Sequence, residues 1–175
     1  MTQESVKIPK ERIAVLIGHK GESKRQIERA TKTKLTIDSK EGTVLIDGED
    51  SFKVYLTSHI VKAIARGFSP ERALKLANED FCFETLNIKD LIGKSKSDLL
   101  RQKARLIGTR GKARRILENM TNTQISIYGK TVCIIGEAVD VMIARQAIER
   151  LLQGAKHGNV YGWIERQKEA EKELT

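Results

Sequence analysis

The sequence predicts an α+β fold made twice. Two tandem units each run strand, helix, helix, strand, strand, helix, with a three-stranded antiparallel sheet covered on one face by three helices. Three observations lead there. Apolar residues alternate at period two, or recur at helical spacing, in short segments bounded by glycine and proline. The stretch Leu16–Ile37 lies over Leu106–Ile127 without a gap, and nine of the 22 positions are identical. Finally, 175 residues that are 39% apolar and 31% charged suffice for two small cores and a solvated surface.

In the first unit, residues 1–67, Val6 and Ile8 alternate with Ser5 and Lys7 as a short strand. Pro9 ends it and suits the first helical position of the next element. Residues 10–17 form a two-turn helix with Ile13, Leu16 and Ile17 on one face, which Gly18-His19-Lys20-Gly21 breaks. Residues 22–31 are an amphipathic helix whose apolar face is Ile27 and Ala30. Leu35–Ile37 and Thr43–Asp47 are strands of a hairpin in which Gly42 is free to take positive φ. A helix over 52–66 follows, with Leu56, Ile60, Ala63 and Ile64 at helical spacing and Gly67 as its stop.

Residues 68–80 have no visible counterpart later and are expected to be a helical connector, with Ser69 as N-cap and Pro70 in the first turn. The second unit, 81–154, starts with a β-prone segment from Phe81 to Ile88. The distance from Ile88 to Gly108 is 20 residues, against 10 from Ile8 to Gly18. The extra piece, Lys89 to Ser97 and including Lys94, is expected to be a basic solvated loop leading into a helix over 99–107. A helix over 112–120, strands over 124–128 and 131–135 joined through Gly129, and a helix over 138–152 complete the unit. Residues 155–175 make a charged, partly helical tail, which Trp163 can anchor to the body.

The chain carries 32 Lys and Arg against 23 Asp and Glu, a formal charge of +9. A basic balance favours a polyanionic partner, nucleic acid or an acidic membrane face. No apolar run approaches the length needed to span a bilayer, and Met1–Ile8 lacks a signal peptide's pattern, so an intracellular, cytoplasmic protein is expected. Cys82 and Cys133 stand alone in apolar segments and are expected to be buried and reduced; no metal site and no cofactor is expected. His19, His59 and His157 show no spacing for a metal or a triad. No phosphate-binding P-loop, dinucleotide fingerprint or nucleophile elbow occurs, and no enzyme is expected.

The chemistry concentrates in the repeated stretch. A lone G-x-x-G is a weak signal, since any two helices can meet at a glycine turn. Here it recurs after Leu-Ile in the same context, with hydrophilic middle residues His19-Lys20 and Thr109-Arg110. Glycines let the backbone approach a sugar–phosphate strand, and a following helix N-terminus favours anions. Lys20, Lys24, Arg105, Arg110, Lys112, Arg114 and Arg115 add positive charge. Ile17, Ile27 and Ile37, or Ile107, Leu117 and Ile127, form or back an apolar groove for unstacked bases, although core packing is the commoner job for such residues. The expected RNA-binding residues are thus Gly18, His19, Lys20, Gly21 and Lys24 in the first unit. In the second they are Arg105, Ile107, Gly108, Thr109, Arg110, Gly111, Lys112, Arg114, Arg115 and Ile127, and the second unit is the stronger on charge.

The element order and the I-G-x-x-G signature resemble the eukaryotic-type (type I) KH domain. That resemblance implies a loop clamping a single RNA strand, and the low aromatic content, 5%, fits aliphatic rather than aromatic base recognition. Two KH units, G-x-R-G-K-x-R-R-x-L-E over 108–118 and H-G-x-V-Y over 157–161, resemble the Pno/Dim family of small-subunit ribosome biogenesis proteins. The resemblance implies single-stranded RNA near the 3′ end of small-subunit rRNA as ligand. It also implies the Nob-type endonuclease and the α subunit of translation initiation factor two as partners. The intact Gly18–Gly21 loop and the short N-terminus resemble archaeal-type members, and whether the first unit binds RNA or protein stays open. Two alternatives remain: a general KH-type RNA-binding or adaptor protein in RNA processing or translation initiation, and a DNA-binding regulator. The strand pair directly after the second helix speaks against the latter.

Overall fold

A computed structural model describes residues 1–93 and 95–175, divided between two compact units, Met1–Phe81 and Cys82–Thr175. In the first, β1 (Thr2–Lys7), α1 (Lys10–Ile17), α2 (Glu22–Thr31), β2 (Lys34–Asp38), β3 (Thr43–Gly48) and α3 (Ser51–Ala65) follow the expected order. The sheet order is β1-β3-β2, antiparallel, with Val6 opposite Val44 and Leu35 opposite Ile46. Alternation places Val6, Leu35, Val44 and Ile46 on the face that meets Ile13 and Leu16 of α1, Ile27 of α2 and Ile60 and Ile64 of α3; all are buried.

The second unit repeats this with β4 (Phe81–Asn87), α5 (Ile88–Ile92), α6 (Lys96–Ile107), α7 (Lys112–Thr121), β5 (Gln124–Tyr128), β6 (Thr131–Glu137) and α8 (Ala138–Leu152), in sheet order β4-β6-β5. Ile125 pairs with Ile134 and Ile127 with Val132. Leu106, Leu117, Ile125, Ile134 and Ile148 are among its core residues.

The repeat is longer than the sequence suggests. Gly48 matches Gly136 at n + 88, and from Val54 onward residue n matches n + 87: Val54 and Val141 pack under those glycines, and α3 and α8 both end near a positive-φ glycine, Gly67 (φ 102°) and Gly154 (φ 101°). A further helix then packs on the unit each time. In the first unit it is α4 (Pro70–Ala73), continued as a 3-10 turn over Leu74–Ala77; in the second it is α9 (His157–Leu174). Ala73 and Leu76, and likewise Val160 and Ile164, are buried. The expected connector and tail are thus one element seen twice, each folded into its own unit. Trp163 lies partly buried against the second core, with the Arg150 guanidinium 4.4 Å from its ring centre.

Other expectations change in detail. Pro9 is the N-cap of α1, not its first residue: its ψ of 137° is extended while its carbonyl accepts from Arg12 N–H at 2.8 Å. Ala30 is exposed, and Thr31 closes the apolar face of α2 instead. Ile88 belongs to a helix rather than a strand: the Asn87 side chain caps α5 by accepting from Lys89 N–H at 3.1 Å, and Ile88 is fully buried. The expected loop over Lys89–Ser97 therefore holds most of α5, whose Leu91 and Ile92 pack on the core, and α6 begins at Lys96 rather than Leu99. Lys94 lies outside the described residues. Cys133 is buried but Cys82 is only half-buried.

Candidate nucleic-acid interface

The two glycine turns have nearly the same backbone. Gly18 sits at φ 74°, ψ 178° and Gly108 at φ 73°, ψ 174°; Gly21 sits at φ 76°, ψ 13° and Gly111 at φ 76°, ψ 15°. The glycines have different jobs. A Cβ on Gly18 would lie 2.8 Å from Ser23 N, and one on Gly108 would lie 2.7 Å from Ala113 N, so these two let the second helix close onto the first. A Cβ on Gly21 or Gly111 would meet flexible arginine tips, Arg25 Nη1 at 3.0 Å in the first case, Arg115 Nη1 at 3.2 Å and Arg114 Nη2 at 3.9 Å in the second.

Between them Lys20 (φ 52°) and Arg110 (φ 55°) hold the left-handed conformation that non-glycine residues avoid. Such positions cost about 1–3 kcal/mol and cluster at ligand clamps. The result points His19, Lys20, Thr109 and Arg110 into solvent; all four are exposed. No side chain caps α2 or α7; the amides of Gly21 and Glu22, and of Gly111 and Lys112, donate back to carbonyls of the turn, and the amides that follow them in each first turn have no side-chain cap. An anion placed there meets backbone donors, the helix dipole and the cation of the turn together.

Ile17 and Ile107 end the helix before each turn, Ile37 and Ile127 lie on the strand that follows α2 or α7, and all four are half-buried. Ile27 and Leu117 are sealed in the cores. The edge strands carry outward amides, and the repeated glutamates satisfy one each: Leu35 N–H donates to Glu28 Oε1 at 2.9 Å and Ile125 N–H to Glu118 Oε2 at 3.0 Å. The charge of Glu118 alone does not point to this role. Its identity with Glu28 in the repeat was the available signal.

The cations separate into three groups. Arg105 does not face the turn. Its Nη1 donates to Leu151 O and its Nη2 to Ala155 O, both at 2.6 Å, while its own carbonyl accepts from His157 Nε2 at 2.9 Å. It pins α6 to the end of α8 and the start of α9, a structural role beside the RNA contact expected of it. Arg12, which the sequence did not single out, makes the same clamp in the first unit, donating to Ile64 O at 2.8 Å and Phe68 O at 2.7 Å. The H-G-x-V-Y residues belong to this closure: Val160 is buried and Tyr161 packs on the core.

The second group is paired with acids. Lys24 lies 3.5 Å from Glu28, and Arg25 and Arg29 lie 3.2 and 3.1 Å from Glu22. Of the four cations at the second turn, Arg110, Lys112, Arg114 and Arg115, Arg114 alone pairs with a carboxylate among the described residues, 3.2 Å from Glu118. The third group is Lys20 alone in the first unit and Arg110, Lys112 and Arg115 in the second. None of these ion-pairs with a carboxylate among the described residues. Arg115 instead reaches back across the turn, donating to Arg110 O at 2.7 Å.

Two sheets with helices on one face, joined helix-to-helix by open glycine turns and flanked by an edge strand, define a protein with two KH domains. Family comparison agrees: residues 82–169 match the eukaryotic-type (type I) KH domain of the second Pno1 unit, and residues 3–63 match the KH domain. The chain is 45% identical over 170 residues to a KH domain-containing protein of Methanocaldococcus jannaschii, covering 95% of this chain and 74% of that one. It is 31% identical over 140 residues to the pre-rRNA-processing protein PNO1 of Debaryomyces hansenii, covering 79% of this chain but 53% of the yeast protein. Among solved structures, Dim2p from Pyrococcus horikoshii matches with a TM-score of 0.88 at 49% identity, over 95% of this chain and 99% of that one. The complex of a/eIF2α, aDim2p and rRNA from the same organism matches with a TM-score of 0.90 at 48% identity, over 97% and 95%. The chain belongs to the Pno/Dim family of two-KH-domain proteins.

Proposed function

We propose that this protein binds single-stranded RNA near the 3′ end of small-subunit rRNA during ribosome assembly and maturation, with the second glycine turn as its main phosphate clamp. The observation that carries the reading is the second turn itself. Arg110, Lys112 and Arg115 lie on or just after a strained Gly108–Gly111 backbone beside a helix with no side-chain cap, and among the described residues no carboxylate pairs with them. A strand laid over the turn sets phosphates against these donors. Its bases then fall along Ile107 and Ile127, where stacking-free aliphatic contact suits unpaired bases. Lys112 and Arg115 steady the backbone, and Arg114 contributes through a shared carboxylate.

The names of the relatives support the assignment to ribosome biogenesis, and the Pyrococcus complex with rRNA and a/eIF2α supports both the ligand and the α subunit of translation initiation factor two as a partner. The Nob-type endonuclease is proposed as a second partner, the cytoplasm as the compartment, and the role as binding without catalysis of its own. Among the described residues no helix is long and apolar enough to cross a membrane, and no cluster of His, Cys, Asp and Glu could hold a metal ion.

Crosslinking the protein in cell extract and sequencing the bound RNA tests the reading. Enrichment of the 3′ region of the small-subunit rRNA is expected. Recovery of unrelated RNAs in proportion to their abundance would defeat it, and stronger competition by duplex DNA than by single-stranded RNA would favour the DNA-binding alternative.

A further inference from the structure

The two turns share a backbone, yet the residue that opens the helix behind each is opposite in charge: Glu22 begins α2 and Lys112 begins α7. Their neighbours differ in step. Arg29, two residues before the end of α2 at Thr31, corresponds to Asn119 in α7. From Gly18 to Thr31 the formal charge is +2, and from Gly108 to Thr121 it is +3, a difference of one. Geometry enlarges that difference. The Glu22 carboxylate holds Arg25 Nη2 at 3.2 Å through one oxygen, and Arg29 Nη2 at 3.1 Å and Gln26 Nε2 at 3.3 Å through the other. It sits half-exposed at the first helical position, beside the uncapped amides where a phosphate would lie.

The hydrogen bond from Arg25 and the charge of both arginines hold the Glu22 carboxyl below the usual carboxylate range, so it stays ionised at neutral pH. With Glu28 on Lys24, three of the four cations around the first turn are occupied by the domain's own acids, against one of four in the second.

We infer that Glu22 acts as an internal competitor for RNA phosphate, holding Arg25 and Arg29 in the first KH unit, and that position 22, with its equivalent 112, decides which unit grips the RNA backbone. The inference rests on the RNA-binding reading above. Exposed ion pairs are individually weak, so Glu22 biases the first unit against phosphate without abolishing binding.

The test uses the full chain and a fluorescein-labelled single-stranded RNA from the 3′ end of small-subunit rRNA, titrated across a range of salt. In a Gly111→Asp background, where the second turn is blocked, Glu22→Gln is expected to tighten binding roughly threefold to tenfold. The slope of log K against log salt should steepen by about 0.7 to 1.4 as one or two arginines move onto phosphate. In the otherwise unsubstituted chain Lys112→Glu should do the reverse, weakening binding and flattening the slope, which keeps the test decisive if Gly111→Asp fails to fold. Affinity and slope unmoved by both substitutions, in a chain that does bind the RNA, would overturn the role of position 22 and leave the RNA reading standing. No binding by the unsubstituted chain would overturn the RNA reading itself, and the inference with it.

Discussion

Replacing Gly108 by alanine should damage the second KH unit far more than replacing Gly111, although both glycines have positive φ. At Gly108 the backbone lies at φ 73°, ψ 174°, a region open essentially to glycine alone, which costs about 1–3 kcal/mol for any other residue. The new Cβ would also lie 2.7 Å from Ala113 N and 2.8 Å from Ala113 Cβ. Those atoms belong to the first turn of α7 and cannot swing aside, so the helix must shift at a further cost of about 1–3 kcal/mol. Gly111 lies at φ 76°, ψ 15°, ordinary left-handed backbone that costs an alanine roughly 1 kcal/mol. Its Cβ meets flexible arginine tips, Arg115 Nη1 at 3.2 Å and Arg114 Nη2 at 3.9 Å.

Gly108→Ala should therefore lose about 2–6 kcal/mol and Gly111→Ala about 1. Urea unfolding followed by tryptophan fluorescence measures the loss in the right place, because Trp163 is the chain's sole tryptophan and packs on the second core. Equal losses at the two glycines would refute the division of labour between them. So would a larger loss at Gly111.

Arg105→Ala should cost stability instead of RNA affinity: two hydrogen bonds from a charged group to Leu151 O and Ala155 O vanish, worth roughly 1.5–3 kcal/mol each before relaxation. An unchanged urea midpoint with weakened RNA binding would place Arg105 at the interface. Gly111→Asp should weaken single-stranded RNA binding more than Gly21→Asp, because it sets a carboxylate among three unpaired cations instead of one; filter binding with losses equal or reversed would contradict that ranking. Burial, with help from nearby Lys62, pushes the His59 imidazole below its ordinary value against the opposing pull of Glu4. The folded chain thus binds this proton less readily than the unfolded one, so the contribution is intact above about pH 6.5 and is lost as pH falls through the lowered folded value. His59→Gln should flatten the acid side of a stability profile measured by denaturant unfolding; an identical profile would exclude the residue as a source.

The part of the fold that the sequence reveals is the part where structural need keeps residues the same in both copies. Leu16 and Leu106 fill cores, Gly18 and Gly108 permit helix closure, and Glu28 and Glu118 satisfy edge-strand amides. Thr31 and Thr121 each donate to a carbonyl four residues back and meet the hydroxyl of Thr33 or Thr123 at 2.7 Å. Where packing asks only for something apolar, similarity fades. Ala73 and Leu76 do for the first unit what Val160 and Ile164 do for the second, and the equivalence of α4 with α9 is invisible without coordinates.

The structural role of Arg105 is hidden in the sequence for a different reason. Its partners lie 46 and 50 residues away, and a cation next to a basic turn looks in sequence like part of that turn. Pairing, too, is a matter of rotamer and distance. The charges of Glu22, Arg25 and Arg29 were countable, but that one carboxylate reaches both arginines was not.

The central claim is that the turn cations meet RNA phosphates, and salt dependence of binding tests it most directly. Each phosphate neutralised on a single strand contributes about −0.7 to the slope of log K against log salt. A strand lying over the second turn and its flanking helix, touching roughly four to six phosphates, should give a slope of about −3 to −4. A slope near zero would mean that Arg110, Lys112 and Arg115 stand away from the bound RNA, and would contradict the account.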